Sequence, residues 1–173
     1  MKKEVDLIIQ NASELITCDG PENGIKGSDL EHVETIVEGA LAITRDRIIS
    51  VGTTNEIASN YFSSNTIDAS GQLVSPGLVD AHSHLLYFGS RHDEWEYKVR
   101  GSSSPTFLQG GIHRSVNWTR KANDEVLVAQ AYRDLDLILC HGTTTLEVKT
   151  GYGLAREPEI RLLNLICGLN HNV

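Results

Sequence analysis

Along the first 75 residues the apolar positions fall in short runs broken by polar turns. Residues 5–9 and 14–18 read as strands, and the Gly-, Pro- and charge-rich stretch 19–34 reads as a surface loop. Two further runs, 39–43 and 47–52, flank Arg45-Asp46 and predict a hairpin. Thr53 or Thr54 is placed to cap a short helix through Ile57 and Ala58, and residues 66–68 and 73–74 complete a set of short strands. Residues 1–75 are therefore expected to form a small β-sandwich-like region.

From residue 76 the pattern changes to strand, helix, strand, helix. Val126, Leu127, Ala131, Leu135, Ile138 and Leu139 recur at near-helical spacing after Asn123-Asp124-Glu125, and Gly142 supplies a stop. The β-branched run from Thr143 to Val148 predicts a second strand. A last helix is expected to open with Pro158 at its first position, to present Ile160, Leu163 and Ile166 as its apolar stripe, and to end at Gly168. Alternating β and α units imply parallel strands with right-handed crossovers. Residues 76–173 thus read as two βα units, whereas a closed parallel barrel takes eight units and about 250 residues. The expectation is the N-terminal part of a longer protein.

Composition narrows the classes without naming one. The apolar share of 40% and charged share of 22% fit a globular chain. A net charge of −8 speaks against a nucleic-acid partner. No run of 18 apolar residues and no secretory leader pattern occur, so the expected setting is cytoplasmic with no membrane partner. Three scattered cysteines, Cys18, Cys140 and Cys167, fit reduced thiols better than a disulfide framework.

The candidate chemistry lies at Asp80, His82 and His84, which follow Pro76-Gly77-Leu78-Val79. Alternate positions of a strand share a face, so both imidazoles can reach one divalent ion where the strand meets its loop. Ordinary strand alternation with two solvent-facing histidines is the competing account. Asp80 is expected to orient a histidine or to cap a neighbouring backbone group. Arg91, in the loop after this strand, could bind a carboxylate through two parallel hydrogen bonds, or simply pair with Asp93 or Glu94. Tyr152 lies between two glycines after the second strand and could lean over a pocket or pack on its rim. Glu147 and Lys149 share a face, expected to be the barrel interior, where a contact between them, or of Lys149 with a substrate, would satisfy the charges. The other histidines (His32, His92, His113, His141 and His171) are given structural or solvated roles.

These motifs resemble the amidohydrolase superfamily. Residues 89–96 (Gly-Ser-Arg-His-Asp-Glu-Trp-Glu), Gly110-Gly111-Ile112 and the run 144–154 through Glu147-Val148-Lys149-Thr150-Gly151-Tyr152 narrow the likeness to the imidazolonepropionase family. The resemblance implies a (β/α)₈ TIM-barrel hydrolase with one zinc or iron per chain. It implies that His82 and His84 bind the metal and that Arg91 and Tyr152 bind the substrate. The implied reaction is opening of the ring amide of 4-imidazolone-5-propanoate. Implied partners are the small-molecule substrate and a second copy of the chain in a homodimer. Residues 102–109, with Pro105, and Asn117-Trp118 depart from the family pattern and bear on substrate identity. Later strands would have to supply the remaining ligands and the general base, so this chain alone is expected to be inactive. A deaminase or amidohydrolase of another heterocycle, and a non-catalytic barrel fragment, are the competing functions.

Overall fold

The computed structural model describes residues 1–21, 24–101 and 110–171 of the 173. Its architecture is mixed α/β, and its contacts divide the chain after Pro76 into two units.

The first unit is built on one sheet in the order Arg47–Thr53, Thr35–Thr44, Leu7–Ile16, Thr66–Asp68, with Leu73–Val74 also pairing to Leu7–Ile16. The strands are β2 (Leu7–Ile16), β3 (Thr35–Thr44), β4 (Arg47–Thr53), β6 (Thr66–Asp68) and β7 (Leu73–Val74). A separate parallel pair joins β1 (Lys3–Glu4) to β5 (Tyr61–Phe62). The two strands expected at 5–9 and 14–18 are one, because a bulge between Ile9 and Ala12, with Asn11 at φ 60°, carries the chain through without breaking it. The hairpin turns at Arg45-Asp46, with Thr44 opposite Arg47. Successive β3 side chains supply both faces of the sheet. Ala40 and Ala42 pack with Val5, Ile8 and Ile57, whereas Leu41 joins Ala12, Leu15 and Ala69. Helix α1 (Thr54–Asn60) is opened by a capping box. Thr53 Oγ1 accepts from the Glu56 N–H, while the Glu56 carboxylate accepts from the Thr53 N–H at 2.8 Å. Among its described residues the stretch expected to be loop contains one 3₁₀ turn, Gly27–Glu31.

The second unit pairs β8 (Leu78–Ser83) with β9 (Thr143–Val148) in parallel. Among the described residues four helices accompany them: α2 (His92–Val99), α3 (Ile112–Lys121), α4 (Asp124–Cys140) and α5 (Arg156–Cys167). Leu127, Ala131 and Leu135, four residues apart on α4, form the centre of the core with Leu85, Leu86 and Leu162; Leu146, Val148, Leu165 and Ile166 pack around them.

Two details of α5 differ from expectation. Pro158 is the third residue of the helix, still within the first turn, where a missing N–H costs nothing. The buried stripe runs through Leu162, Leu165 and Ile166, while Ile160 and Leu163 are exposed. Two apolar faces at helical spacing look alike in sequence. At the start of the helix the Glu159 carboxylate accepts from the Gly153 and Leu154 N–H groups (2.8 and 2.7 Å), tying its first turn to the preceding loop. Helices α2 and α3 were not anticipated.

Candidate metal and substrate site

The site forms where β8 and β9 end together. Their ends are tied by two bonds: the Lys149 N–H donates to the Ser83 carbonyl (2.8 Å), and the Ser83 hydroxyl donates to the Glu147 carbonyl (3.1 Å). His82 is in β8 and His84 stands one residue past its end. The Asp80 carboxylate accepts from the His82 backbone N–H at 3.0 Å, the capping role expected of it.

The two imidazoles meet edge to face with ring centroids 5.5 Å apart. Rings bound through nitrogen at about 2.0–2.1 Å to one tetrahedral ion would have centroids about 5 Å apart, so the pair fits a shared metal. Among the described residues no group of three or more His, Cys, Asp and Glu side chains gathers at one point. The chain therefore offers two imidazole donors, whereas a catalytic zinc site generally has three protein ligands and an open position.

Tyr152 belongs to the same neighbourhood. Its ring stands edge-on to His84 (5.8 Å) and tilts against Tyr87 (5.6 Å). Burial first, then the charges of Asp134 and Tyr152, push the Tyr87 phenol above its ordinary range. Gly151 comes so close to His84 that an added Cβ would lie 2.8 Å from the imidazole Cε1.

Glu147 and Lys149 pair directly with each other. The Lys149 ammonium, hydrogen-bonded to it, holds the Glu147 carboxyl below the usual carboxylate range, and His82 adds a smaller pull in the same direction. Both side chains are well exposed in this chain, 55% for Glu147 and 41% for Lys149, rather than enclosed as expected for a barrel interior. Two strands cannot enclose the face on which they sit.

Arg91 lies farther along, at the N-cap position of α2. Its guanidinium faces Glu94 at 3.6 Å, so the expected local pairing does form, and 37% of its side chain remains exposed. Glu94 is 8% exposed and shared: its other oxygen accepts from Arg114 Nη1 at 3.2 Å. Arg114 also holds Asp93 through two parallel bonds (3.1 and 2.9 Å) and lies 4.4 Å over the Trp118 ring. The Arg114 guanidinium, hydrogen-bonded to Asp93, keeps that carboxyl below its ordinary range. The Glu94–Arg114 link was missed from sequence, although Arg114 and Trp118 at i and i+4 are its one visible signal. Residues 102–109, expected to reshape the pocket rim, lie outside the described residues. His92 opens α2, His141 follows α4, and His171 pairs with Asp136 (2.9 Å) beside Tyr132, in keeping with structural roles.

No family model matches the chain. Whole-sequence comparison does find relatives. Imidazolonepropionase from Thermoanaerobacter pseudethanolicus is 42% identical over 171 residues, 96% of this chain and 40% of its own length. The Chloroflexus aggregans enzyme of the same name is 40% identical over 95% of the chain and 39% of its own length. That of Halobacterium salinarum is 42% identical over 94% and 38%. The chain matches the N-terminal part of the imidazolonepropionases. It spans about 40% of the length of these relatives. Solved structures agree on the fold. An adenosine deaminase from Xanthomonas campestris with bound zinc superposes with a TM-score of 0.56 at 17% identity, covering 86% of the chain and 30% of that protein. A zinc-bound atrazine chlorohydrolase from Arthrobacter aurescens gives 0.52 at 23%, covering 83% and 28%.

Proposed function

We propose that the protein carrying this chain is an imidazolonepropionase, a metal-dependent hydrolase of histidine degradation. It opens the ring amide of 4-imidazolone-5-propanoate to N-formimidoyl-L-glutamate. The observation that carries this is identity of about 40% to enzymes of that name along nearly the whole chain. In this reading β8 and β9 are the first two strands of a (β/α)₈ barrel, and the first unit belongs to a β-sandwich. The assembly is a cytoplasmic homodimer.

His82 and His84 hold one metal per chain, zinc or iron; the zinc in the structural neighbours favours zinc. When bound, such an ion supplies Lewis acidity and a nucleophile at neutral pH. The chain's own residues do the rest of what this part of the site can do. Asp80 fixes the backbone at His82, so the imidazole leaves the strand in one direction. Arg91 takes the propionate carboxylate through the donors that Glu94 leaves free, which anchors the tail and so places the ring amide. Tyr152, packed between Tyr87 and His84, forms the wall against which the ring lies.

The test is turnover by the longest natural product of the gene. The expected result is hydrolysis of 4-imidazolone-5-propanoate, with Arg91→Ala raising KM by about tenfold or more, the loss of a charge-assisted hydrogen bond, and changing kcat less. Turnover of an aminated heterocycle in place of the imidazolone would replace this function with a deaminase.

A further inference from the structure

We propose that Arg114 is a positioning residue for Arg91, keeping its guanidinium open to a ligand carboxylate by holding Glu94 away from it. This rests on Arg91 being the carboxylate site.

Glu94 is the one carboxylate that Arg91 meets among the described residues, and it is buried beside it. Left alone, two such partners three residues apart on one helix would close into a forked pair and use up the donors a ligand needs. They do not close. The Arg91–Glu94 separation is 3.6 Å, an ion pair beyond hydrogen-bond length, while the Glu94 carboxylate accepts its hydrogen bond from Arg114 Nη1 at 3.2 Å.

Arg114 is itself fixed from two sides. Asp93 accepts from both Nη1 and Nη2 in parallel, Nη1 being shared with Glu94, and the guanidinium lies over Trp118. Trp118 in turn rests on Gly89, where a Cβ would come within 2.4 Å of the indole and the backbone has φ +81°, a region that favours glycine. The charges balance as Asp93 with Arg114 and Glu94 with Arg91. Glu94 therefore steadies Arg91 electrostatically without occupying it. Asn117-Trp118, a departure from the family pattern, thereby gains a purpose: Trp118 is the platform on which the holding arginine rests.

The experiment measures equilibrium binding of imidazole-4-propionate, a carboxylate-bearing compound with no ring amide to hydrolyse, to the longest natural product of the gene. Wild type, Arg91→Ala, Arg114→Gln, Arg114→Lys and the double variant Arg114→Gln/Glu94→Gln are compared. Arg114→Gln frees Glu94 to close on Arg91 and is expected to weaken binding by about tenfold, one charge-assisted hydrogen bond. Arg114→Lys retains the charge without the fork and should fall between. Adding Glu94→Gln removes the competing carboxylate and should restore most of the affinity. A purely structural role for Arg114 predicts the opposite, a double variant worse than the single. Arg114 variants that bind as wild type, or a double variant no tighter than Arg114→Gln, would overturn the inference while leaving Arg91 in place. If Arg91→Ala binds as wild type, or wild type does not bind at all, the carboxylate site fails and the inference fails with it.

Discussion

Gly151 shows how little room surrounds His84. Any side chain there would press on the imidazole. Gly151→Ala is expected to turn the ring out of line and lower metal affinity by about tenfold, the scale of a disturbed ligand support, while thermal stability changes little. Metal titration beside a melting curve checks this; unchanged metal affinity would show that the ring has freedom the structure does not suggest. At this scale the sequence was informative wherever one strand carried the information. The spacing of two singled out His82 and His84, and their rings do stand 5.5 Å apart. Contacts across elements were another matter. The pairing of Arg91 with Glu94, three positions apart, was among the expectations, but nothing in the order of residues says that the other Glu94 oxygen goes to an arginine twenty positions ahead.

The elements repeat the lesson. The capping box at Thr53 and Glu56 was half visible, since the sequence offered Thr53 or Thr54 as cap and the Glu56 carboxylate decides between them. Thr53→Ala should cost about 1 kcal/mol, read from denaturant unfolding. Helix α4 was legible because Leu127, Ala131 and Leu135 repeat every four residues. Leu127, wholly buried, should cost about 2–5 kcal/mol as Leu127→Ala. Helices α2 and α3 escaped notice because what they bury is polar. Glu94 is the buried residue of α2, and Ser115 and Thr119 accompany Val116 on α3. A stripe of that kind has no hydrophobic period to detect. The two helices are joined by Asp93 and Arg114, which gives their union a pH dependence. Because Arg114 depresses the Asp93 carboxyl, the unfolded chain binds a proton at higher pH than the folded one. The stabilisation is fully present above about pH 4, the ordinary carboxylate value, and is lost as pH falls through the depressed folded value. The difference in melting temperature between wild type and Asp93→Asn should hold steady above that pH and shrink below it; a constant difference down to strong acid would deny the coupling.

For the molecule as a whole, the second unit leaves apolar surface open. Leu78 and Val79 on β8 and Ile160 and Leu163 on α5 are each about half exposed or more. Parallel strands are normally covered on both faces, and in the proposed barrel further βα units would provide the cover. The 173-residue chain by itself is therefore expected to bind a hydrophobic dye strongly and to unfold without a sharp transition. A cooperative melt with no dye binding would show that it is self-sufficient. The sequence conveyed the alternation of β and α and the change of texture near Pro76. Which faces stay open depends on partners that no pattern within the chain encodes. The proposed activity depends on a metal at His82 and His84. Its most direct test is the metal content of the longest natural product of the gene, beside His82→Ala and His84→Ala. About one metal per chain, lost in both variants with the fold retained, is the predicted result. A wild-type protein that stays metal-free after incubation with zinc or iron, or variants that keep their metal, would contradict it.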